Sequence, residues 1–149
     1  MQIFVDLDGV LADFDRGYKD IIDEETFYKV DWDIIRNTPH FFRDLELMPD
    51  AIQLWDYVKK YNPIILTGVP YSIISSPNDK RKFVDKHFGK EVPMIACRSK
   101  DKFRYMHNTG DILIDDREEL KYLWERAGGY WITHTSATNT VNQLCGLGF

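Results

Sequence analysis

Two aspartates, Asp6 and Asp8, follow a short apolar run near the start of the chain, and a glycine comes directly after them. On an extended strand, side chains two residues apart point the same way, so both carboxylates would be presented together. Two like charges at close range repel each other, and such a pair is costly unless a cation or a reaction requires it. The pair therefore indicates a metal-binding or catalytic site where a buried strand ends.

Two later apolar runs also end in polar signals, namely Thr67-Gly68 and a second acid pair, Asp115-Asp116. In an open parallel sheet, ligands bind beyond the carboxyl ends of the strands. Four carboxylates at one such edge would need a compensating cation, and Mg²⁺ prefers oxygen ligands. Any single aspartate could instead be a helix N-cap or a turn residue. The combination, rather than any one residue, predicts a magnesium site.

The elements that would position these residues are those of an α/β fold. Five short apolar runs alternate with segments of helical spacing, which predicts a Rossmann-like parallel five-stranded sheet flanked by helices. The strands are expected at residues 2–6, 64–66, 92–97, 111–114 and 130–133, and the principal helices near residues 14, 49, 79, 101 and 117.

A segment rich in aromatic residues follows the first strand and is too long for a normal crossover connection. We expect it to form a small helical cap inserted after strand one, over about residues 13–48. The chain would then be a single domain, with its core at about residues 1–12 and 49–149.

The composition fits one globular domain, because 44% of the 149 residues are apolar and 14% are aromatic. The formal charge of −5 disfavours duplex nucleic acid as a partner but leaves a small phosphorylated ligand open. Cys97 and Cys145 fit no metal-ligand spacing and no disulfide framework. We find no run typical of a signal peptide or a membrane helix, and expect a cytoplasmic protein of unknown oligomeric state.

Four segments of the chain form a combined pattern, namely Asp6-Leu7-Asp8-Gly9-Val10, Leu66-Thr67-Gly68, Ser99-Lys100-Asp101-Lys102 and Ile112-Leu113-Ile114-Asp115-Asp116. Together they resemble the motifs of the haloacid dehalogenase superfamily. Within that superfamily the chain is most similar to the 5'(3')-deoxyribonucleotidases, through residues 9–14, 41–46 and 112–117. The resemblance implies a phosphoric monoester hydrolase of the haloacid dehalogenase-like fold.

The resemblance also implies roles for the acids. Asp6 would be the nucleophile that forms an aspartyl phosphate. Asp8 would protonate the leaving alcohol and then activate the hydrolytic water. In the family, Mg²⁺ is bound by the side chain of the first aspartate and the backbone carbonyl of the second. Adjacent residues on an extended segment face opposite ways, and by comparison with the superfamily we expect Asp116 as the direct ligand, with Asp115 as an indirect or alternative one.

Further residues are expected to bind the substrate. Thr67 would donate its hydroxyl and Gly68 its backbone N–H to phosphate oxygens, although an ordinary strand-ending turn is the alternative. Lys102 would balance the phosphate as a compact point charge, with Lys100 as its rival. Phe14 would pack against the nucleotide, or else belong to the core of its helix.

Two groups of residues have a functional and a structural interpretation. The aromatic side chains of Trp32, Phe41 and Phe42 would stack a base or simply hold the cap together. The basic residues at 80–82 could reach a phosphate, but a solvated helix face is the simpler expectation. Packing is also the expectation for the four scattered histidines.

The sequence thus predicts a Mg²⁺-dependent phosphatase that hydrolyses nucleoside monophosphates, a 5'(3')-deoxyribonucleotidase by resemblance. One alternative is a phosphatase of the same superfamily that acts on sugar phosphates or nucleic-acid ends. Another is a non-catalytic phosphate-binding module. Such modules usually lack the nucleophile or the metal-binding acids, and all of these are present here. The preferred base, sugar and phosphate position stay open.

Overall fold

The computed structural model describes residues 1–22 and 29–149. At its centre lies a five-stranded sheet in the order β3-β2-β1-β4-β5, in which every pairing is parallel. The predicted Rossmann-like parallel sheet flanked by helices is therefore confirmed. The strands are β1 (Ile3–Val5), β2 (Ile64–Gly68), β3 (Met94–Cys97), β4 (Ile112–Asp115) and β5 (Tyr130–Thr133).

β1 is the central strand, with β2 on one side and β4 on the other. Its three residues are fully buried, as expected for a strand covered on both faces. Ile3 and Val5 join the larger hydrophobic cluster, whereas Phe4 joins a smaller cluster around Trp124 and Trp131 on the opposite face. Because β1, β2 and β4 run in one direction, their carboxyl ends meet at the same edge of the sheet.

The helices cover both faces of this sheet. Among the described residues, no helix is long and apolar enough to cross a membrane. The α-helices are α1 (Phe14–Ile21), α2 (Trp32–Arg36), α3 (Ala51–Val58), α4 (Ser76–His87), α5 (Lys121–Arg126) and α6 (Ala137–Gly146), and two 3₁₀ helices span Lys59–Tyr61 and Ser99–Tyr105.

Several element boundaries differ from those expected. β2 extends to Gly68 and β4 includes Asp115, so these residues close the strands instead of following them. α4 begins at Ser76 with a proline in its first turn, earlier than expected. α5 begins only at Lys121. Part of the expected cap, residues 23–28, lies outside the described residues, and the division into core and cap stays a prediction.

Candidate active site

Asp6, the first residue after β1, lies buried at the middle of the sheet edge. The Nζ atom of Lys102 lies 3.0 Å from Asp6 Oδ1 and 2.9 Å from Asp115 Oδ2. Lys102 comes from the 3₁₀ helix that follows β3 and is itself buried. Of the two candidate lysines, the structure places Lys102 against Asp6, whereas Lys100 is exposed.

Asp6, Asp115 and Asp116 each bring one carboxylate oxygen within 4.8 Å of the others. β4 ends at Asp115, so the alternation of an extended strand no longer separates the two neighbouring acids. Asp115 is already engaged, because it accepts hydrogen bonds from Lys102 at 2.9 Å and from the Arg117 backbone N–H at 3.1 Å. The buried Oδ1 atom of Asp116 has no hydrogen-bond partner in the part of the chain that the structure describes.

The electrostatics of this cluster favour a bound cation. Burial raises the pKa of the Asp6 carboxyl to about 8, an effect that Lys102 opposes and the neighbouring carboxylates reinforce. Burial and the charge of Asp115 raise the pKa of Asp116 to about 7, against the opposing charge of Arg117. Three close carboxylates and one lysine leave excess negative charge, and hard oxygen donors with an unpartnered acceptor fit a divalent cation such as Mg²⁺.

Lys80 occupies the other half of the sheet edge. Its Nζ atom donates to Asp8 Oδ2 at 2.9 Å, to Thr67 Oγ1 at 2.9 Å and to the Gly68 carbonyl at 2.7 Å. The residue is only 2% exposed, so the expected solvated helix face is wrong for Lys80. Three hydrogen bonds at the strand ends compensate for the burial of its charge.

A local signal for the burial of Lys80 is present in the sequence. Phe83 and Val84 follow it at spacings of three and four residues, which places all three side chains on one face of a helix. Both hydrophobic residues are buried, and the lysine lies on their side of α4. This register is a sequence signal that Lys80 faces the core, but it does not identify the groups that bind the ammonium.

Two glycines make room for neighbouring polar groups. A Cβ atom on Gly9 would overlap the carboxylate of Asp116, and the φ angle of Gly9, +81°, is one that other residues rarely adopt. A Cβ atom on Gly68 would overlap the hydroxyl of Ser99. The positive φ angle and the Asp116 carboxylate thus require glycine at position 9, whereas at position 68 a larger residue would force the Ser99 hydroxyl to move.

A pocket of about 390 Å³ opens above the sheet edge. Phe14 is half-buried in its wall, with ring centroids 6.0 Å from Trp32 and 6.2 Å from Phe42. Phe41 is buried and packs edge-on against Phe14. An acidic floor therefore meets an aromatic wall. Floor and rim include Asp6, Asp8, Gly9, Gly68, Asp116, Asp15, Ser99 and Arg117, and the apolar lining is Phe14, Val30, Trp32, Phe42, Val69 and Pro70.

No family model matches the chain, but relatives are found by sequence and by structure. A Bordetella bronchiseptica protein that carries the provisional name 5'(3')-deoxyribonucleotidase is 29% identical over 147 residues, covering 78% of this chain and 74% of that protein. The human protein named 5'(3')-deoxyribonucleotidase, cytosolic type, is 27% identical over 154 residues, covering 81% and 73%. A haloacid dehalogenase superfamily hydrolase from Ehrlichia chaffeensis superposes with a TM-score of 0.53 at 13% identity, over 98% of this chain and 96% of that one.

Proposed function

We propose that this chain is a Mg²⁺-dependent phosphatase of nucleoside monophosphates. It has the haloacid dehalogenase fold and resembles the 5'(3')-deoxyribonucleotidases in sequence. The observation that carries the proposal is the surroundings of Asp6. This buried carboxylate lies beside Lys102 and two further carboxylates, at the floor of a pocket whose wall is aromatic.

In the first half of the reaction, a side-chain oxygen of Asp6 attacks phosphorus and the bond from phosphorus to the alcohol oxygen breaks, which gives an aspartyl phosphate. The departing oxygen takes a proton from Asp8. Lys102 balances charge on the phosphoryl oxygens, and its distance of 3.0 Å from Asp6 Oδ1 supports this role. Thr67 and the backbone N–H of Gly68 bind the remaining phosphoryl oxygens.

The proposed ligands of Mg²⁺ are the side chains of Asp6 and Asp116 and the backbone carbonyl of Asp8. When bound, the ion supplies Lewis-acid stabilisation of the phosphoryl charge. The unpartnered Oδ1 atom of Asp116 supports its role as a direct ligand, because both oxygens of Asp115 already accept hydrogen bonds.

The pocket supports a nucleotide as the alcohol component. Its volume of about 390 Å³ is within the range of about 300–1,000 Å³ that small-molecule sites occupy. Phe14, Trp32 and Phe42 offer aromatic faces, on which any base can stack. The names of the relatives favour a deoxyribonucleotide, and the cytosolic type of the human relative supports a cytoplasmic location.

A substrate panel tests the proposal. Phosphate release is measured with 5'- and 3'-deoxyribonucleoside monophosphates, ribonucleotides, sugar phosphates and 5'-phosphorylated oligonucleotides, each with Mg²⁺ and with EDTA. We expect the highest kcat/KM for a deoxyribonucleoside monophosphate and no turnover in EDTA. Preference for sugar phosphates or oligonucleotide ends would replace the proposed substrate, and release from no ester would contradict an enzymatic function.

A further inference from the structure

We propose that Lys80 is a positioning residue for the second half of the reaction. It holds the carboxylate of Asp8 in place as the proton acceptor for the water that hydrolyses the aspartyl phosphate on Asp6. The inference rests on the proposed function and adds a residue that the motifs of the chain do not include.

The hydrogen bonds of Lys80 are directed at protein groups. An ammonium group has three donors, and the three of Lys80 are used by Asp8 Oδ2, Thr67 Oγ1 and the Gly68 carbonyl. No donor is left for a substrate phosphate. Lys102, which lies beside Asp6, is the lysine in position to balance the charge of that phosphate. Lys80 therefore acts through the residues that it holds.

The ammonium group is also fixed in place. The Lys80 side chain is 2% exposed, and its Nζ atom lies 4.8 Å from the centroid of the Phe42 ring on the pocket wall. A buried charge with three hydrogen bonds and an aromatic neighbour has little freedom to move. The position of Lys80 thus defines the position of the Asp8 oxygen that it binds.

One oxygen of Asp8 remains for proton transfer. Lys80 binds Oδ2, whereas Oδ1 has no hydrogen bond to any residue that the structure describes. The side chain of Asp8 is 30% exposed and lines the pocket. A carboxylate with one oxygen clamped and the other without a partner among the described residues is the arrangement that a general base needs.

Hydrolysis of the aspartyl phosphate exchanges one bond to phosphorus for another. The oxygen of a water molecule forms a bond to phosphorus, and the bond between phosphorus and the Asp6 oxygen breaks, which returns Asp6 as a carboxylate. The proton of the water passes to Oδ1 of Asp8. Inorganic phosphate leaves, and the protonated Asp8 is then the acid for the next alcohol.

Rapid mixing of the Lys80→Met variant with 4-nitrophenyl phosphate and Mg²⁺ tests the proposal. Nitrophenolate leaves without a proton, so the first half of the reaction should stay fast while hydrolysis of the aspartyl phosphate slows. We expect a burst of about one nitrophenolate per enzyme, followed by a steady state about 10- to 100-fold slower than wild type, with a lower KM. The Lys80→Met protein, quenched in acid during turnover, should carry a phosphoryl group on Asp6.

Lys82→Met is the matched control, because Lys82 lies on the same helix but is exposed. It should turn over at the wild-type rate. A Lys80→Met protein without a burst overturns the inference, because loss of a phosphate ligand or general damage would slow the first half of the reaction. Wild-type turnover of this variant overturns it as well. If thermal unfolding shows that this variant is unfolded, Lys80→Arg is judged by the same two results. Wild-type protein that hydrolyses no ester would instead refute the proposed function.

Discussion

At the scale of the residue, Gly9 shows how a residue without reactive atoms shapes the site. Its φ angle of +81° lies in the left-handed region, and a Cβ atom there would overlap the carboxylate of Asp116. The backbone that follows the predicted nucleophile is therefore packed against a proposed metal ligand. Gly9 links the end of β1 to the end of β4.

Replacement of this glycine by alanine should weaken Mg²⁺ binding. Gly9→Ala would displace the Asp116 carboxylate and force a left-handed backbone, at a cost of about 1–2 kcal/mol in stability. A Mg²⁺ titration of phosphate release should show an apparent affinity about 10- to 100-fold lower. Gly146→Ala, where nothing lies within 4 Å of the added atom, is the control and should leave activity intact. An unchanged Mg²⁺ titration of Gly9→Ala would contradict this view of the site.

The motif residues were predictable from the sequence, whereas the burial of Lys80 and its contacts with the strand ends were not. Asp6 and Asp8 lie within one short segment, and the type and order of the residues there indicate their chemistry. Lys80 lies 72 positions from Asp8 and 13 from Thr67, so no local spacing connects it with either partner. Only the packing of α4 against the strand ends brings these groups together.

At the scale of the element, the strands were predictable but their order and ends were not. Five apolar runs indicate five strands, yet runs alone do not reveal that β1 lies between β2 and β4. α5 begins at Lys121 and not near residue 117, where the sequence predicts it. The chain first turns after Asp115, whose Oδ1 atom accepts a hydrogen bond from the Arg117 backbone N–H at 3.1 Å. A side chain of the site thus shapes the connection that follows it.

The aromatic wall that includes α2 should determine nucleotide affinity. Trp32 is 41% exposed and lines the pocket, so a base can stack on it. Trp32→Ala should raise the KM for a deoxyribonucleoside monophosphate by about 5- to 150-fold, which corresponds to about 1–3 kcal/mol of stacking. The KM for deoxyribose 5-phosphate, which has no base, should not change.

Tyr122→Ala is the control for this measurement, because Tyr122 is an exposed aromatic residue on α5 outside the lining of the pocket. It should leave both KM values unchanged. An equal rise of both KM values in Trp32→Ala would refute a stacking role for the wall, and so would no rise at all.

At the scale of the whole molecule, the acid cluster makes stability depend on pH. The pKa values of Asp6 and Asp116, about 8 and about 7, lie well above the ordinary aspartate pKa of about 3.9. Between the ordinary aspartate pKa and these raised values, the folded protein binds more protons than the unfolded chain. Its free energy of unfolding therefore falls as the pH rises through this range. Burial lowers the pKa of His87 and His134, which acts in the opposite direction, but only below the pKa of unfolded histidine, about 6.5.

Thermal unfolding in EDTA should show this dependence. We expect the Tm to fall from about pH 6.5 to about pH 8.5, where the histidines no longer contribute. Mg²⁺ should raise the Tm more at the upper end of this pH range than at the lower end, because the cation competes with protons for the same carboxylate oxygens. The double variant Asp6→Asn with Asp116→Asn should lose both effects. A Tm in EDTA that rises over this range would contradict the electrostatic account.

The proposed mechanism depends on a covalent bond between Asp6 and phosphorus. Wild-type protein is mixed with a deoxyribonucleoside monophosphate and Mg²⁺, quenched in acid during turnover, and its peptides are analysed by mass spectrometry. We predict one phosphoryl group on Asp6, and for Asp6→Asn no label and turnover lower by about 10⁴-fold or more. Glu118→Gln, at an exposed acid two residues after Asp116, should behave as wild type. Turnover with no label on Asp6, or retained by Asp6→Asn, would contradict the account.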